Sequence, residues 1–479
     1  MATQRLTFGE WLPDQPGIAG SLTEAKNVVS QAVGYGPLPL PVAIASGASE
    51  NLQTLFATKD TEGNTKLFAG GSTKVFTASS IGVFTDVSGA TYTTFPNERM
   101  RFTQFGNSVL FTNNSDKIQY YDVTSSSAFA DLSANAPIAR YITVVRDFVV
   151  VANVVDGTNR RSNRVQWSGI NDETEWTFSQ TTQSDYQDIP DGGNIVGIRG
   201  GEFGLVLMEK AIHRMTYIGT PFIFQFDNIS RGTGCIEGNS IAQYQGITFF
   251  LSDDGFYMCD GQTVKQIGSE KVDRFFFSRV EMSQLGTMSA AVDPLRKLVI
   301  WNYRTANGTR ELLIYSMKTG KWTRADGLVD YISDAATGAV TLEELDSIYP
   351  TVDGMDLTLD SYNFVGGKFF FGGTKDNDIY SFTGLPRQGE IITGDIDTGN
   401  SVITLARPQI DGGSADVSVA SRTRLDVSLS YTTPVSASDE NRVPLRSAGR
   451  YHRVKVNPTG DNWANAVAVD IDIVPQGGR

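Results

Sequence analysis

The side chains that most often carry chemistry are scarce in this chain of 479 residues. It has two histidines, His213 and His452, and two cysteines, Cys235 and Cys259, set against 53 acidic residues. A structural zinc site needs Cys and His at short fixed spacings, and a His-based catalytic device needs partners near it. Neither pattern occurs. His213, between Ile212 and Arg214 in an apolar run, reads as a rim or sheet-face residue. Glycoside hydrolysis needs only two well-placed carboxylates, and the many acids leave that chemistry open. A sialidase-like enzyme would also need an arginine cluster for the substrate carboxylate. The densest group, Arg160, Arg161 and Arg164, lies in a polar hairpin tip, which suits a solvated loop or a partner contact. Calcium is suggested by DTEGNTK from Asp60, DGTNRRSN from Asp156 and KDNDIY from Lys375. None has the oxygen density of a D-x-D-x-D-G loop, so each is read as a solvated turn. No catalytic, metal or cofactor-binding residue and no cofactor is assigned, and the expectation is a protein that is not an enzyme.

The acidic motif that stands out is Asp253-Asp254-Gly255, inside GITFFLSDDGFYMCDG from Gly246. It is similar to the Asp-box turn of sialidase propellers, although Tyr257-Met258 replaces Thr-Trp and the spacing is imperfect. An apolar strand, an Asp-Asp-Gly bend and a second apolar strand make a hairpin, with the carboxylate capping nearby N–H groups. The pattern recurs. Phe68, Leu110, Val149, Leu205, Phe249, Val299 and Phe370 mark similar strand–turn–strand runs. Their steps are about 40 to 55 residues with a longer last one, the period of a four-stranded β-propeller blade. Seven units are counted, with six or eight also consistent; the strict WD40 or kelch repeats are absent.

The elements around this array are short. TEAKNVVSQAVG from Thr23, VDRFFFSRVEMSQLG from Val272 and TLEELDSIY from Thr341 are helix candidates, and the last two read as excursions between blades. Pro37, Pro39 and Pro41 enforce an extended path, so residues 1–44 are expected to form an N-terminal strap over a preformed surface. Residues 45–388 form the propeller. From Gly389 the strands alternate apolar and polar residues, which predicts a C-terminal antiparallel β-sandwich-like domain over 389–479. In RVQWSGINDETEWTFS, Trp167 and Trp176 bracket a polar turn. They either anchor a long hairpin on the next blade or carry a loop that contacts another subunit.

The formal charge is −13, from 40 Lys and Arg against 53 Asp and Glu. Tight non-specific binding to nucleic acid, which relies on basic surface, is therefore disfavoured. Two cysteines give no disulfide framework and fit synthesis in a reducing compartment. No apolar segment reaches the ~20 residues of a membrane span, and the first residues lack a signal-peptide core.

From Asn163 onward the order of elements is more specific. RVQWSGINDETEW is followed by IPDGGNIVGIRGGEFGLVLMEKAIHRMTYIGTPFIFQF and then TGCIEGNSIAQYQGITFFLSDDGFYMCDG. The placing of Ile195, Gly197 and Ile198, of Ile212 to Gly219, and of Gly234 to Ile241 resembles the tail hub, or nozzle, proteins of short-tailed bacteriophages (podoviruses), also called packaged-DNA stabilisation proteins. The N-terminal strap and RSAGRYHRVKV, Arg446 to Val456, look similar too. The resemblance implies a virion tail protein, assembled in the host cytoplasm as a ring, most simply a hexamer, below the portal and adaptor proteins. It implies a wall that genomic DNA passes without specific binding, helping to retain and eject it, and surfaces for fibres, spikes or a needle. Loops 156–164 and 170–176 are the candidate interface elements. The alternative is a glycan-binding or glycan-degrading propeller on a phage tail.

Overall fold

The computed structural model describes residues 2–476 apart from 18–19, 62, 64, 80–81, 337–350 and 352–368. It is an all-β protein built on a propeller. Six four-stranded antiparallel sheets stand free among the described residues, five of them consecutive meanders. Blade 1 spans 54–86, blade 2 101–131, blade 3 138–188, blade 4 195–231 and blade 5 242–266. A further meander, blade 6 (289–326), is continuous with a 14-stranded sheet. Blade 7 takes three strands from 331–381 and its outermost strand, Val42–Ala45, from the N-terminal segment. This last pairing ties the start of the ring to its end. All seven sequence markers, Phe68 to Phe370, fall on the second strand of their unit, which pairs with a strand on either side.

Each blade buries its faces against the next, as stacked repeats must. Leu205, Leu207 and Ile212 of blade 4 pack on Phe250 and Tyr257 of blade 5, and the aromatics of blades 1 and 2 meet around Phe68 and Phe111. The bend at Asp253-Asp254-Gly255 joins two strands of blade 5, with the Ser252 N–H bonded to the Gly255 carbonyl at 2.8 Å. Gly255 has φ +150°, and a Cβ there would sit 2.1 Å from the Asp273 carboxylate, so only glycine fits.

The terminal segments form one sheet. The long strands Ile396–Asp411 and Val443–Thr459 pair with each other, and Asn465–Pro475 and Ser414–Arg422 flank them. Ala2–Thr7 runs antiparallel to Asn465–Pro475, while Leu22–Lys26 sits between Glu390–Thr393 and the last strand of blade 6. One apolar core unites Trp11, Leu22 and Val28 with Phe256, Trp301 and Trp322 of blades 5 and 6 and with Val454 and Ile471. Trp301 and Trp322 stack at 5.6 Å and donate to the carbonyls of Ser240 and Ile267.

Two of the three helix expectations meet a described segment. The helix Asp273–Arg279 and the 3-10 turn Met282–Thr287 lie between blades 5 and 6. The expected helix from Thr23 is instead two strands, Leu22–Lys26 and Val28–Ser30, broken at Asn27 with φ +59°. Sheet pairing and burial of Val28 and Val29 outweigh a weak helical pattern at a β-branched pair. The segment from Thr341 lies outside the described residues.

Candidate functional site at the propeller axis

Every blade contributes its first strand, or the residues entering it, to one axial cavity of about 350 Å³. Its character is set by arginines. Arg99 and Arg101 flank the entry to blade 2 and Arg199 ends the first strand of blade 4, while Arg140 of blade 3 stands outside the lining. They meet few carboxylates and many carbonyls.

Arg99 is 8 % exposed; it donates to the Met288 carbonyl and, at 3.5 Å, to that of Gly286, both beside blade 6. Its guanidinium lies 4.2 Å over the ring of Tyr331 in blade 7. Arg199 donates to the Ile198 carbonyl at 3.0 Å and, across to blade 5, to Ile241 at 2.7 Å. Burial pushes the pKa of each down to about 10, which still leaves both protonated at neutral pH. Arg101 donates to Glu98 at 3.1 Å and to Asn239, next to blade 5, at 3.0 Å. It also lies 4.7 Å over Tyr141. Arg140 reaches the other Glu98 oxygen at 2.7 Å. Burial raises the Glu237 carboxyl, whose side chain accepts from the Asn239 N–H at 2.9 Å. Asp334 lines the axial cavity with its side chain open to it and accepts from the Val292 N–H at 3.0 Å; desolvation within the ring pushes its carboxyl up to about 6.

These bonds cross from one blade to another. Arg99 links blade 2 to blades 6 and 7, Arg101 links it to blade 5, and Arg199 links blade 4 to blade 5. Buried charge held this way needs complete hydrogen bonding to be tolerated. The arrangement braces the ring. It supplies no nucleophile with an adjacent base.

The residues singled out in sequence are scattered over the fold. Among the described residues no three His, Cys, Asp or Glu side chains group as metal ligands. Asp254 accepts from the Tyr257 hydroxyl at 2.8 Å. Asp156 and Lys375 sit at hairpin tips, and of the Asp60 turn residues 62 and 64 lie outside the described set. His213 is buried in blade 4, 3.6 Å from Asp191, and burial lowers its pKa. His452 is clamped in the terminal sheet between the hydroxyls of Ser401 (3.1 Å) and Ser421 (2.6 Å), and is also depressed by burial. Cys235 and Cys259 are free and buried, and burial pushes the Cys235 thiol up to about 12, away from reactivity. Arg160 turns onto the Asn153 and Asn114 carbonyls, and Arg164 pairs with Asp188 and Asp156. Both indoles of the 164–179 run are buried on opposite faces of blade 3. Trp167 donates to the Gln183 carbonyl and Trp176 to that of Glu173.

Sequence reasoning did not single out the axial arginines. Arg99 and Arg101 alternate with Met100 and Phe102 as on any half-buried strand, and strand period says nothing about distance from a propeller axis.

No family model matches the chain, and no curated protein matches it. Solved structures similar to it include the WD40 domain of Neurospora crassa Pan2, at 8 % identity and TM-score 0.39, covering 72 % of this chain and 95 % of that one. The computationally designed Ika8 protein matches at 11 % identity and TM-score 0.37, over 69 % of this chain and 97 % of that chain. A chain of the mitotic checkpoint complex matches at 10 % identity and TM-score 0.37, over 65 % and 88 %.

Proposed function

We propose that this chain is a structural subunit of the tail hub of a short-tailed phage, acting by shape and charge rather than by catalysis. The observation that carries the reading is the axial bracing. Positive charge at the centre is engaged by carbonyls, ring faces and Glu98 of the same molecule, which suits a rigid building block. The chain as a whole remains at −13. A wall of that sign lets a polyanion slide, where a basic one would hold it. The axial cavity of about 350 Å³ is far too small for a duplex whose major groove alone is ~12 Å wide. The conduit therefore runs between subunits, along outer faces of the propellers, in a ring that is most simply a hexamer. Portal or adaptor proteins would meet one end of that ring, and fibres, spikes or a needle the other. Among the described residues no helix is long and apolar enough to cross a membrane.

Native mass spectrometry of the purified chain, alone and with the portal complex from the same source, tests this. A closed ring in at least the second mixture is expected. A chain that stays monomeric in both, or binds the portal singly, contradicts the reading.

A further inference from the structure

On the outer half of blade 3, facing blade 2, a cleft of about 460 Å³ is bounded by Gln166, Phe178, Tyr186, Asp156, Arg164 and Asn135, among others. Its volume is in the range of small-molecule sites, roughly 300–1,000 Å³. Gln166 is paired across the sheet with Tyr186, and Arg164 with Asp188, so these side chains share one face. Val165 and Trp167 point to the other face, into the core toward blade 4.

Three features distinguish this cleft from an ordinary gap between blades. Gln166 is only 7 % exposed, and its side-chain amide borders the cleft and is open to it rather than sealed in the core. An amide placed at the wall of a cleft can exchange water for a ligand hydroxyl without losing hydrogen bonds. Phe178 and Tyr186 stand beside it, 51 % and 37 % exposed, with ring centroids 4.9 Å apart. Arg164 is 3.8 Å from the Tyr186 centroid and holds that ring in place. Finally, the charges cancel locally. Arg164 is bidentate on Asp188 at 2.6 and 3.1 Å and reaches Asp156 at 3.0 Å, Arg161 meets Asp156 as well at 3.7 Å, and Lys117 faces Asp131 at 3.8 Å.

We infer that this cleft is a subsite for a neutral pyranose unit of an oligosaccharide. A pyranose presents a flat C–H face to an aromatic ring and vicinal hydroxyls that both donate and accept, which one carboxamide satisfies at once. Phe178 supplies the platform and Gln166 the donor and acceptor. The exposed edge of Asp156, at the 156–159 hairpin tip, accepts from a further hydroxyl. A charged ligand finds no uncompensated partner here. This site is independent of the ring proposal and stands or falls separately.

Saturation-transfer NMR on the full chain with maltose, lactose and N,N′-diacetylchitobiose, each at millimolar concentration, tests it. Transfer to the ring C–H protons of at least one disaccharide is expected, falling about two- to tenfold in Phe178→Ala, the loss of one stacking contact. Gln166→Leu should abolish it. Phe95→Ala removes another exposed ring, 55 % accessible and outside the cleft, and should leave the signal unchanged. Silence from all three sugars, full signal in Phe178→Ala, or equal loss in Phe95→Ala overturns the assignment. So does equal transfer to a Gly-Ser control peptide.

Discussion

The axis of the propeller and the sheet made by the two chain ends use arginine in opposite ways. At the axis, Arg99 and Arg199 face carbonyls and burial dominates, so their pKa values fall while the nearby Asp334 rises. In the terminal sheet, Asp395 is buried between Arg422 at 2.6 Å and Arg453 at 2.8 Å. At its edges, hydrogen bonds from Arg5 and Arg407 hold Asp470 and Asp472 below the usual carboxylate range. The same side chain acts as a brace made of neutral bonds in one region and as half of an ion pair in the other. The two regions should therefore answer differently to mutation and to acid.

The largest contrast comes from deleting one partner. Asp395→Ala leaves two guanidinium groups facing a buried vacancy and is expected to cost ~3–5 kcal/mol, read as a lower urea midpoint with an unchanged slope. Arg99→Met removes a desolvated charge and keeps much of the volume, but leaves the Met288 and Gly286 carbonyls without their donor, so a smaller loss of ~1–2 kcal/mol is expected. Equal losses in the two variants would erase the distinction.

Gly255→Ala serves as a reference for a purely local clash. The new methyl collides with the Asp273 carboxylate, and the backbone there is strained for any other residue, so a loss of ~1–3 kcal/mol is expected in the same titration. A neutral result would show that blade 5 yields at this bend.

The smallest effect is the pH response. A carboxyl whose pKa is raised on folding gains stability when protonated. Asp334 and Asp273, moved from the usual 3.8 to about 6, therefore favour the propeller as pH falls from 7 toward 5. His452 works the other way. Its folded pKa is below the usual 6.5, so its contribution is complete above that value and is lost as pH falls below it. The contributions of Asp470 and Asp472 are lost only below about pH 4, as pH falls through their depressed values. Hydrogen exchange at pH 7.5 and 5, corrected for intrinsic rates, should show protection rising at Tyr331–Ala335 relative to Ser418–Arg422. The reverse order would contradict the assignment of burial and pairing to the two regions.

Much of the propeller was legible in the sequence because a blade is local. An apolar strand, a turn rich in Gly, Asn or Asp and a second strand lie within a few dozen residues, and Phe68, Leu110 and Val149 mark them directly. The terminal sheet was only half legible. Period-two alternation after Gly389 identified its long strands, but pairing of Ala2–Thr7 with Asn465–Pro475 joins opposite ends of the chain and leaves no local trace. The same holds for Val42–Ala45 closing blade 7, and for Leu22–Lys26, where a helical pattern yielded to neighbouring strands. The axial arginines were hidden for a related reason: their depth depends on closure of the whole ring. Phe178 and Gln166 meet only because the 170–184 excursion folds back beside its own strand, through bonds such as Ile170 to Thr182 at 2.9 Å.

The central claim is that braced propellers of this chain form a wall around the path of the genome. Cryo-electron microscopy of intact tails carrying the chain measures this directly. Symmetry-related copies are expected to encircle the tail axis, with each propeller's own axial cavity closed to the channel and acidic outer faces lining it. A copy placed to the side of the axis, or DNA density threading the propeller itself, would contradict it.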